Sequence, residues 1–575
     1  MRRFFSILTC FTLVSCQTTQ NTAPIQKFEA QPVANWQYGA MVASANPMAT
    51  KAGVEILEKG GSAIDAAIAV QSVLSLVEPQ SSGIGGGAFM LYFDAKTGDV
   101  QTYDGRETAP MGAKPDMFMQ DGKPMEFWTA VKSGHSTGVP GVIAMLDLAW
   151  KDHGKLKWAQ SFEPAIALAE NGYPLTKRTA EYAEILPKIT TPGADVIATF
   201  YDENGKPKPA GTIMKNPAYG KTLREIGQFG PKVFYEGHIA KDIVQKVQSN
   251  AIPGTLSLED MKNYRPTTHQ PLCQTYRVHL MCGMPPPSSG GIGTLMIMGI
   301  LENYDMKSLG NSTQGWHHFI EAQRLAYMDR DTYVADDKFV DVPTQGLLDK
   351  EYLKSRAALM NETEAMKNVV AGNPKGSQKR GRDATGGVSG TSHFVIVDKM
   401  GNVVSMTTTV ENLFGSQQMV DGFFINNQLT DFSFLPNDKD GTPIVNRVEA
   451  GKKPRSSMSP TIIFDKDGQF ELAIGSPGGN AIIAYVTKAI IGVLDWDMPL
   501  IDALGLPNVI ARREPAAMEY KRFDASKAQE LNAMGHTFQD GNGAENSGLH
   551  AIMLKNGKLI GAADPRREGS AEQVK

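Results

Sequence analysis

The chain has 575 residues, of which 41% are hydrophobic and 21% charged, enough apolar material for a substantial core. Its net charge of −4 gives no support to nucleic-acid binding, so no nucleic-acid partner is expected. Length alone suggests several domains.

The chain opens on a targeting segment. Arg2 and Arg3 precede an apolar stretch from Phe4 to Val14 that is too short to stay in a bilayer as a spanning helix. Leu13-Val14-Ser15-Cys16 resembles a bacterial lipobox, which predicts residues 1–15 as a lipoprotein signal peptide, Cys16 as a lipidated new amino terminus and 16–34 as a polar tether. An ordinary cleaved signal peptide that contains a cysteine is the alternative. Gln17 after the cysteine, rather than aspartate, points to a lipid anchor in the outer membrane, facing the periplasm of a Gram-negative cell.

Pro47 to Lys59 and Ser62 to Val77 show helical apolar spacing, separated by Gly60-Gly61 and ended before Pro79. Gly83-Ile-Gly-Gly-Gly87 has the composition of a nucleotide-binding loop but is followed by the strand pattern Ala88 to Phe93 instead of a helix, which excludes a dinucleotide site. Arg106, in Asp104-Gly-Arg-Glu-Thr-Ala-Pro110, reads by itself as a surface arginine. Cys273 and Cys282 flank an alternating segment that folds back on itself; in an exported protein they are either a disulfide or two reduced cysteines in neighbouring strands.

Thr313 to Asp337 reads as a helix. His317 and Glu321, at i and i+4, share a face, and His318 adjoins them, but metal binding needs a third ligand that the sequence does not supply. A helix surface is the expectation for these residues and for Asp329, Asp331, Asp336 and Asp337. No metal and no cofactor is expected.

Residues 371–390 are polar, glycine-rich and basic, and predict a mobile loop. The loop gives way at Gly390-Thr391 to two strand patterns, Ser392 to Asp398 and Asn402 to Val410, around Lys399-Met400-Gly401: a β-hairpin. If Asp398 pairs with Asn402, Thr409 stands opposite Thr391. Taken alone, Thr407 to Thr409 read as good strand formers. A threonine hydroxyl is a poor nucleophile until a base sits beside it, and a freed α-amino group on the same residue is such a base, so the junction suggests an enzyme that cuts itself. His393 reads as an ordinary strand residue, Gln428 and Asp431 as turn chemistry at a strand end, Ser456 and Ser457 as a loop, and Gly478-Gly479 as a tight turn after the strand Glu471 to Ile474.

Six motifs in order carry a family resemblance: Asp104 to Pro110, Pro285-Pro-Pro-Ser-Ser-Gly-Gly291, Thr391-Ser-His-Phe-Val-Ile-Val-Asp398, Asn426-Asn-Gln-Leu-Thr-Asp-Phe-Ser433, Ser456-Ser-Met-Ser-Pro460 and Gly475-Ser-Pro-Gly-Gly479. Together they resemble the γ-glutamyltransferase (γ-glutamyltranspeptidase) family of N-terminal-nucleophile hydrolases, from about Tyr38 to about Arg566. The resemblance implies an α+β fold, a four-layer αββα sandwich, in one intertwined domain built from a large chain, 35–390 with its tether, and a small chain, 391–575.

The resemblance also implies roles. Thr391 attacks the Gly390 carbonyl during maturation, and then a γ-glutamyl amide, forming an acyl-enzyme that passes to water or to an amino acid or peptide acceptor. Thr409 assists proton transfer, and Gly478 and Gly479 form the oxyanion hole. Arg106, Ser456 and Ser457 hold the substrate α-carboxylate. Gln428 and Asp431 hold its α-ammonium, and Glu411, where a neutral side chain is expected, either strengthens that binding or reshapes the pocket. The segment Phe434 to Lys452, which corresponds to a lid in some members, is short and lacks tyrosine. The expected function is hydrolysis and transfer of γ-glutamyl groups from glutathione-like compounds. The alternatives are an acylase for a glutaryl or modified glutamyl amide, or a non-catalytic binding lipoprotein on the same scaffold.

Overall fold

The computed structural model describes residues 29–383, 385–386, 390–541 and 544–575. The leader and Cys16 lie outside the described residues, as does most of the tether. Where the tether is described it is already docked, with Gln31 N–H donating to Gly468 O and Val33 N–H to Ala95 O. No helix among the described residues is long and apolar enough to cross a membrane.

Two antiparallel sheets stack face to face. The first runs, edge to edge, Ser570–Gln573, Met41–Ser44, Gly390–Val397, Val403–Glu411, Gly87–Phe93, Val100–Asp104 and Thr267–His269; the second runs Lys558–Ala563, His550–Lys555, Phe470–Gly475, Thr461–Phe464, His279–Gly283 and Leu272–Tyr276. Strand Gly390–Val397 touches both His550–Lys555 and Phe470–Gly475 across the interface. Helices close the outer faces. Ala63–Val77 lies on strands Gly390–Val397 and Val403–Glu411, whereas Gly290–Leu301 and Ile482–Leu494 cover the second sheet. This is the expected αββα sandwich.

The first two helices match their sequence pattern because their starts are chemically marked. Asn46 accepts from Met48 N–H ahead of Pro47, and Ser62 forms a reciprocal capping box with Asp65. In the central strand the side chains alternate between two cores: Phe394 and Ile396 pack towards the helices, Val395 and Val397 towards the second sheet. Both faces are covered, so the strand is apolar from Phe394 to Val397, and each such side chain contributes about 1.5–3 kcal/mol on burial.

Several expectations need correction. The helix observed at Thr313–Tyr333 is buried nearly all round, not a helix surface. Its charges are paired: Asp329 with Arg356 and Asp331 with Arg512 from other elements, and Glu321 with Arg324 one turn along the same helix. His317 presents Nε2 to the Asn361 carbonyl at 2.6 Å and therefore accepts at Nδ1 from His536 Nε2, 2.8 Å away. Cys273 and Cys282 pair across two neighbouring strands and form a disulfide, which decides between the two readings. The described part of 371–390 has no helix and joins no strand before Gly390, but it is docked: Asp383 is fully buried.

Candidate active site

Strand Gly390–Val397 carries the site because its first residues leave the regular ladder. The register is Ser392 opposite Thr408 and His393 opposite Thr407, as the hairpin reading requires, but Gly390 lies opposite Glu411, so the ladder is irregular at Thr391. Such irregularities re-aim side chains next to active sites. Three glycines let neighbouring strands close in at this point: a Cβ on Gly85 would lie 2.2 Å from Phe424 O, on Gly86 2.0 Å from Thr409 O and on Gly87 2.2 Å from a Glu107 carboxylate oxygen. Gly85, Gly86 and Gly87 therefore serve packing against the site.

In the unbroken chain, Thr391 Oγ1 donates to Thr409 Oγ1 at 3.3 Å, Thr409 Oγ1 donates to the Gly390 carbonyl oxygen at 2.7 Å, and Glu411 N–H donates to Thr409 Oγ1 at 2.8 Å. A hydroxyl has one proton and two acceptor lone pairs, so this set saturates Thr409 and fixes the direction of its proton. His393, two residues along, is buried and bonded to Thr407 Oγ1; burial holds its pKa well below the ordinary histidine value, and the ring fits only because position 475 has no side chain. It is a strand residue, as expected.

The cleft at Thr391 is lined by ten of the residues that the sequence singled out or their direct neighbours: Thr391, Thr409, Glu411, Gln428, Asp431, Arg106, Ser456, Ser457, Met458 and Gly479. Gly478 precedes Gly479 with φ +137°, and a Cβ there would lie 2.3 Å from the Tyr485 ring, so only glycine suits this turn into the helix Ile482–Leu494. Arg106 is 1% exposed, not a surface residue. Its Nη2 donates to Asp431 Oδ2 at 2.6 Å, and its Nε to the Pro454 carbonyl at 3.0 Å. Gln428 Nε2 donates to the same Asp431 oxygen at 2.7 Å, while its Oε1 is buried and accepts nothing from the described residues. That leaves an amide oxygen available to an ammonium.

Glu411 is held with φ +80°, a left-handed backbone that only a well-determined surrounding sustains in a non-glycine residue. Its Oε2 accepts from Asn427 Nδ2 at 2.5 Å and from Thr430 Oγ1 at 3.4 Å. Burial, and then the charge of Asp431, push its carboxyl well above the usual carboxylate range. Glu107, behind Arg106, is pushed up to about 8 by burial.

Sequence reasoning missed Arg330, Asp383, Arg455 and Asn480, which also line the cleft. Arg330 reaches it from the buried helix Thr313–Tyr333, where it bonds Ser289, Ser457, Asn480 and Asp331. Burial lowers its pKa to about 10. The signal available was a run of alternating charges, Asp329 to Asp331, in a helix flanked by apolar residues. The segment Phe434 to Lys452 does not line the cleft; it lies one layer out, where Asn446 Nδ2 donates to Asp431 O at 2.7 Å and to Asp383 Oδ2 at 2.9 Å.

With this geometry in hand, comparison with known proteins is decisive. The profile of the family described as Gamma-glutamyltranspeptidase matches residues 49–574. The chain belongs to this family. Among relatives of this γ-glutamyltranspeptidase-family protein, the glutathione hydrolase proenzyme of Bacillus subtilis (strain 168) is 37% identical over 548 residues, 92% of this chain and 91% of that protein. The glutathione hydrolase proenzyme of Escherichia coli (strain K12) is 34% identical, covering 92% and 90%. Of solved structures, a cephalosporin acylase from Bacillus halodurans superposes with TM-score 0.80 at 25% identity over 97% of this chain and 99% of that one. The Helicobacter pylori γ-glutamyltranspeptidase gives 0.55 at 31% identity over 60% and 99%.

Proposed function

We propose that this protein is a self-processing γ-glutamyl hydrolase and transpeptidase acting on glutathione and related γ-glutamyl amides. The observation that carries the reading is the hydrogen-bonded run from Thr391 through Thr409 to the Gly390 carbonyl. Thr391 Oγ1 attacks the Gly390 carbonyl carbon as its proton passes to Thr409 and Thr409 hands its own proton to the carbonyl oxygen, giving a neutral tetrahedral intermediate. Collapse breaks the bond to the Thr391 nitrogen, which takes up the proton, and water hydrolyses the resulting ester. The chain is then two polypeptides, and Thr391 carries a free amine.

In turnover the amine takes the hydroxyl proton, Oγ1 attacks the γ-amide, and the Gly478-Gly479 turn supplies backbone donors to the oxyanion. The acyl group leaves to water or an amine acceptor. Arg106, Ser456 and Ser457 are assigned to the α-carboxylate, and Gln428, Asp431 and Glu411 to the α-ammonium. Support comes from their convergence on one cleft with opposite charges placed side by side. The proenzyme relatives support the two-chain maturation. The test is release of nitroaniline from γ-glutamyl-4-nitroanilide by purified protein, with Thr391→Ala as control. An inactive wild type, or an active Thr391→Ala, refutes the reading.

Hydrolysis of a related acyl amide, glutaryl for instance, is the second reading, and the cephalosporin acylase likeness favours it. Relative rates on γ-glutamyl and glutaryl anilides separate the two. We also infer export to the periplasm and lipid attachment at Cys16, supported by the apolar stretch and the lipobox-like Leu13 to Cys16. Labelled palmitate should enter the wild type and not Cys16→Ser; equal labelling refutes the anchor.

A further inference from the structure

Among the described residues, three guanidiniums line the cleft, and the α-carboxylate assignment uses one. Arg106 is paired with Asp431, and Arg330 is bound by Asp331 and neutral oxygens. Arg455 differs. It is buried, its Nη1 donates to the carbonyls of Arg330 and Val334, and its Nη2 donates to Asp383 Oδ2 at 2.7 Å, with Asp331 Oδ1 farther off at 3.4 Å. Asp383 belongs to the stretch that runs into the Gly390-Thr391 bond. It is fully buried, lines the cleft together with Thr391, and is also held by Asn446 and by Thr385 N–H. So the uncut chain keeps one of its own carboxylates inside the substrate site, against a guanidinium.

We propose that Asp383 is a placeholder for a substrate carboxylate, and that Arg455 is a specificity-determining residue which binds that carboxylate in the cut enzyme. The inference rests on the γ-glutamyl reading above. Cutting after Gly390 removes the covalent tie between this stretch and the central strand, so Asp383 becomes free to exchange for another anion. Arg455 would then keep only two backbone carbonyls and Asp331, which lies 3.4 Å away and is shared with Arg330 and Arg512; a buried guanidinium short of a close carboxylate is unfavourable, which makes Arg455 a receptor for whatever carboxylate replaces Asp383. The charges agree: Arg106, Arg330 and Arg455 face the carboxylates of Asp383 and Asp431, while burial holds Glu411 toward its neutral form. Without Asp383 the cleft has an excess of positive charge. That complements donors with more carboxylates than ammoniums, such as γ-glutamyl peptides, which carry an α-carboxylate and a second one on the leaving group.

The two carboxylates are distinguished with cut enzyme and two donors, γ-glutamyl-4-nitroanilide and γ-glutamyl-3-carboxy-4-nitroanilide. Arg455→Met should raise KM at least about tenfold, the cost of losing a charged hydrogen bond, with most of the loss in KM. Arg455→Lys should recover part of it. A rise on both donors assigns the α-carboxylate to Arg455, and a rise on the carboxylated donor alone assigns the leaving group. KM within about twofold of wild type on both donors overturns the proposal, as does a loss confined to kcat. If Arg455→Met does not cut itself, the uncut Thr391→Ala chain decides. Adding Asp383→Asn should tighten calorimetric binding of glutarate at least about tenfold, and equal affinity overturns the proposal. This arm needs no turnover, so its failure is separate from that of the γ-glutamyl reading, which is judged on wild-type activity with the plain anilide.

Discussion

The Thr409 hydroxyl donates to the carbonyl oxygen of Gly390 at 2.7 Å while accepting from Thr391 Oγ1 at 3.3 Å, so one side chain touches both the oxygen proposed to attack and the carbonyl proposed to be cut. Thr409→Val keeps the shape and removes the donor. Self-cleavage should slow about 10²–10³-fold, the usual cost of one lost oxyanion donor, while Thr409→Ser stays within about tenfold. Quenched time courses of fragment formation measure both. Valine cutting as fast as wild type would show that the hydroxyl is idle.

Gly390 has no room for a side chain. A Cβ there would meet Gln80 O at 2.8 Å and the carbonyl oxygens of Asn412 and Glu411 at 3.0 Å, all backbone atoms. Gly390→Ala must move the scissile carbonyl, and displacements approaching 1 Å cost about 10²-fold in positioned reactions. The same time course should show cleavage slowed at least about tenfold, with the Thr391 end of the light fragment unaltered in what is cut.

Arg106 and Asp431 form a pair at 2.6 Å with 1% and 28% of their side chains exposed. Breaking a fully buried pair costs about 3–5 kcal/mol; the exposure of Asp431 places Arg106→Gln at or below the lower end. Denaturant unfolding reads that loss. KM for γ-glutamyl-4-nitroanilide should rise at least about tenfold, and an unaltered KM would remove Arg106 from α-carboxylate binding.

Buried neutral histidines make the fold acid-sensitive. Burial, and then Arg567, bring the His550 pKa down to about 3, and His393 beside it is also lowered. Between the ordinary histidine value near 6.5 and about 3, the unfolded chain binds a proton that the folded chain does not, so stability falls as the pH drops through this window, by up to about 1.4 kcal/mol per pH unit for each such group. His550→Gln should flatten the slope. Unfolding free energies measured at several pH values check it, and an identical slope in the variant excludes His550 as a source.

The fold was legible where local chemistry is marked: Asn46-Pro47 and Ser62-Asp65 announce their helices, and Asp398 to Asn402 set the hairpin register that brings Thr409 to Thr391. Arg106, Ser456 and Ser457, on loops, and Gln428 and Asp431, in a single 3-10 turn, became legible only through the family resemblance, since each alone has the composition of a turn or a surface. Asp331 and Asp383 stayed hidden because their charges are neutralised by partners far away in sequence, Asp331 by Arg455 and Arg512 and Asp383 by Arg455, and Arg330 because it is paired with Asp331 inside that network. A periodicity argument counts charged residues as exposed, and a cross-layer ion network defeats it.

The central claim is that the chain breaks itself between Gly390 and Thr391 and that the hydroxyl so exposed does the chemistry. Intact-mass measurement of purified wild type and Thr391→Ala, paired with amino-terminal sequencing of the lighter species, tests it most directly. The account predicts two polypeptides in the wild type, the lighter one beginning Thr-Ser-His-Phe, and a single unbroken, inactive chain in the variant. An active wild type that stays whole, or a light chain with any other first residue, would contradict it.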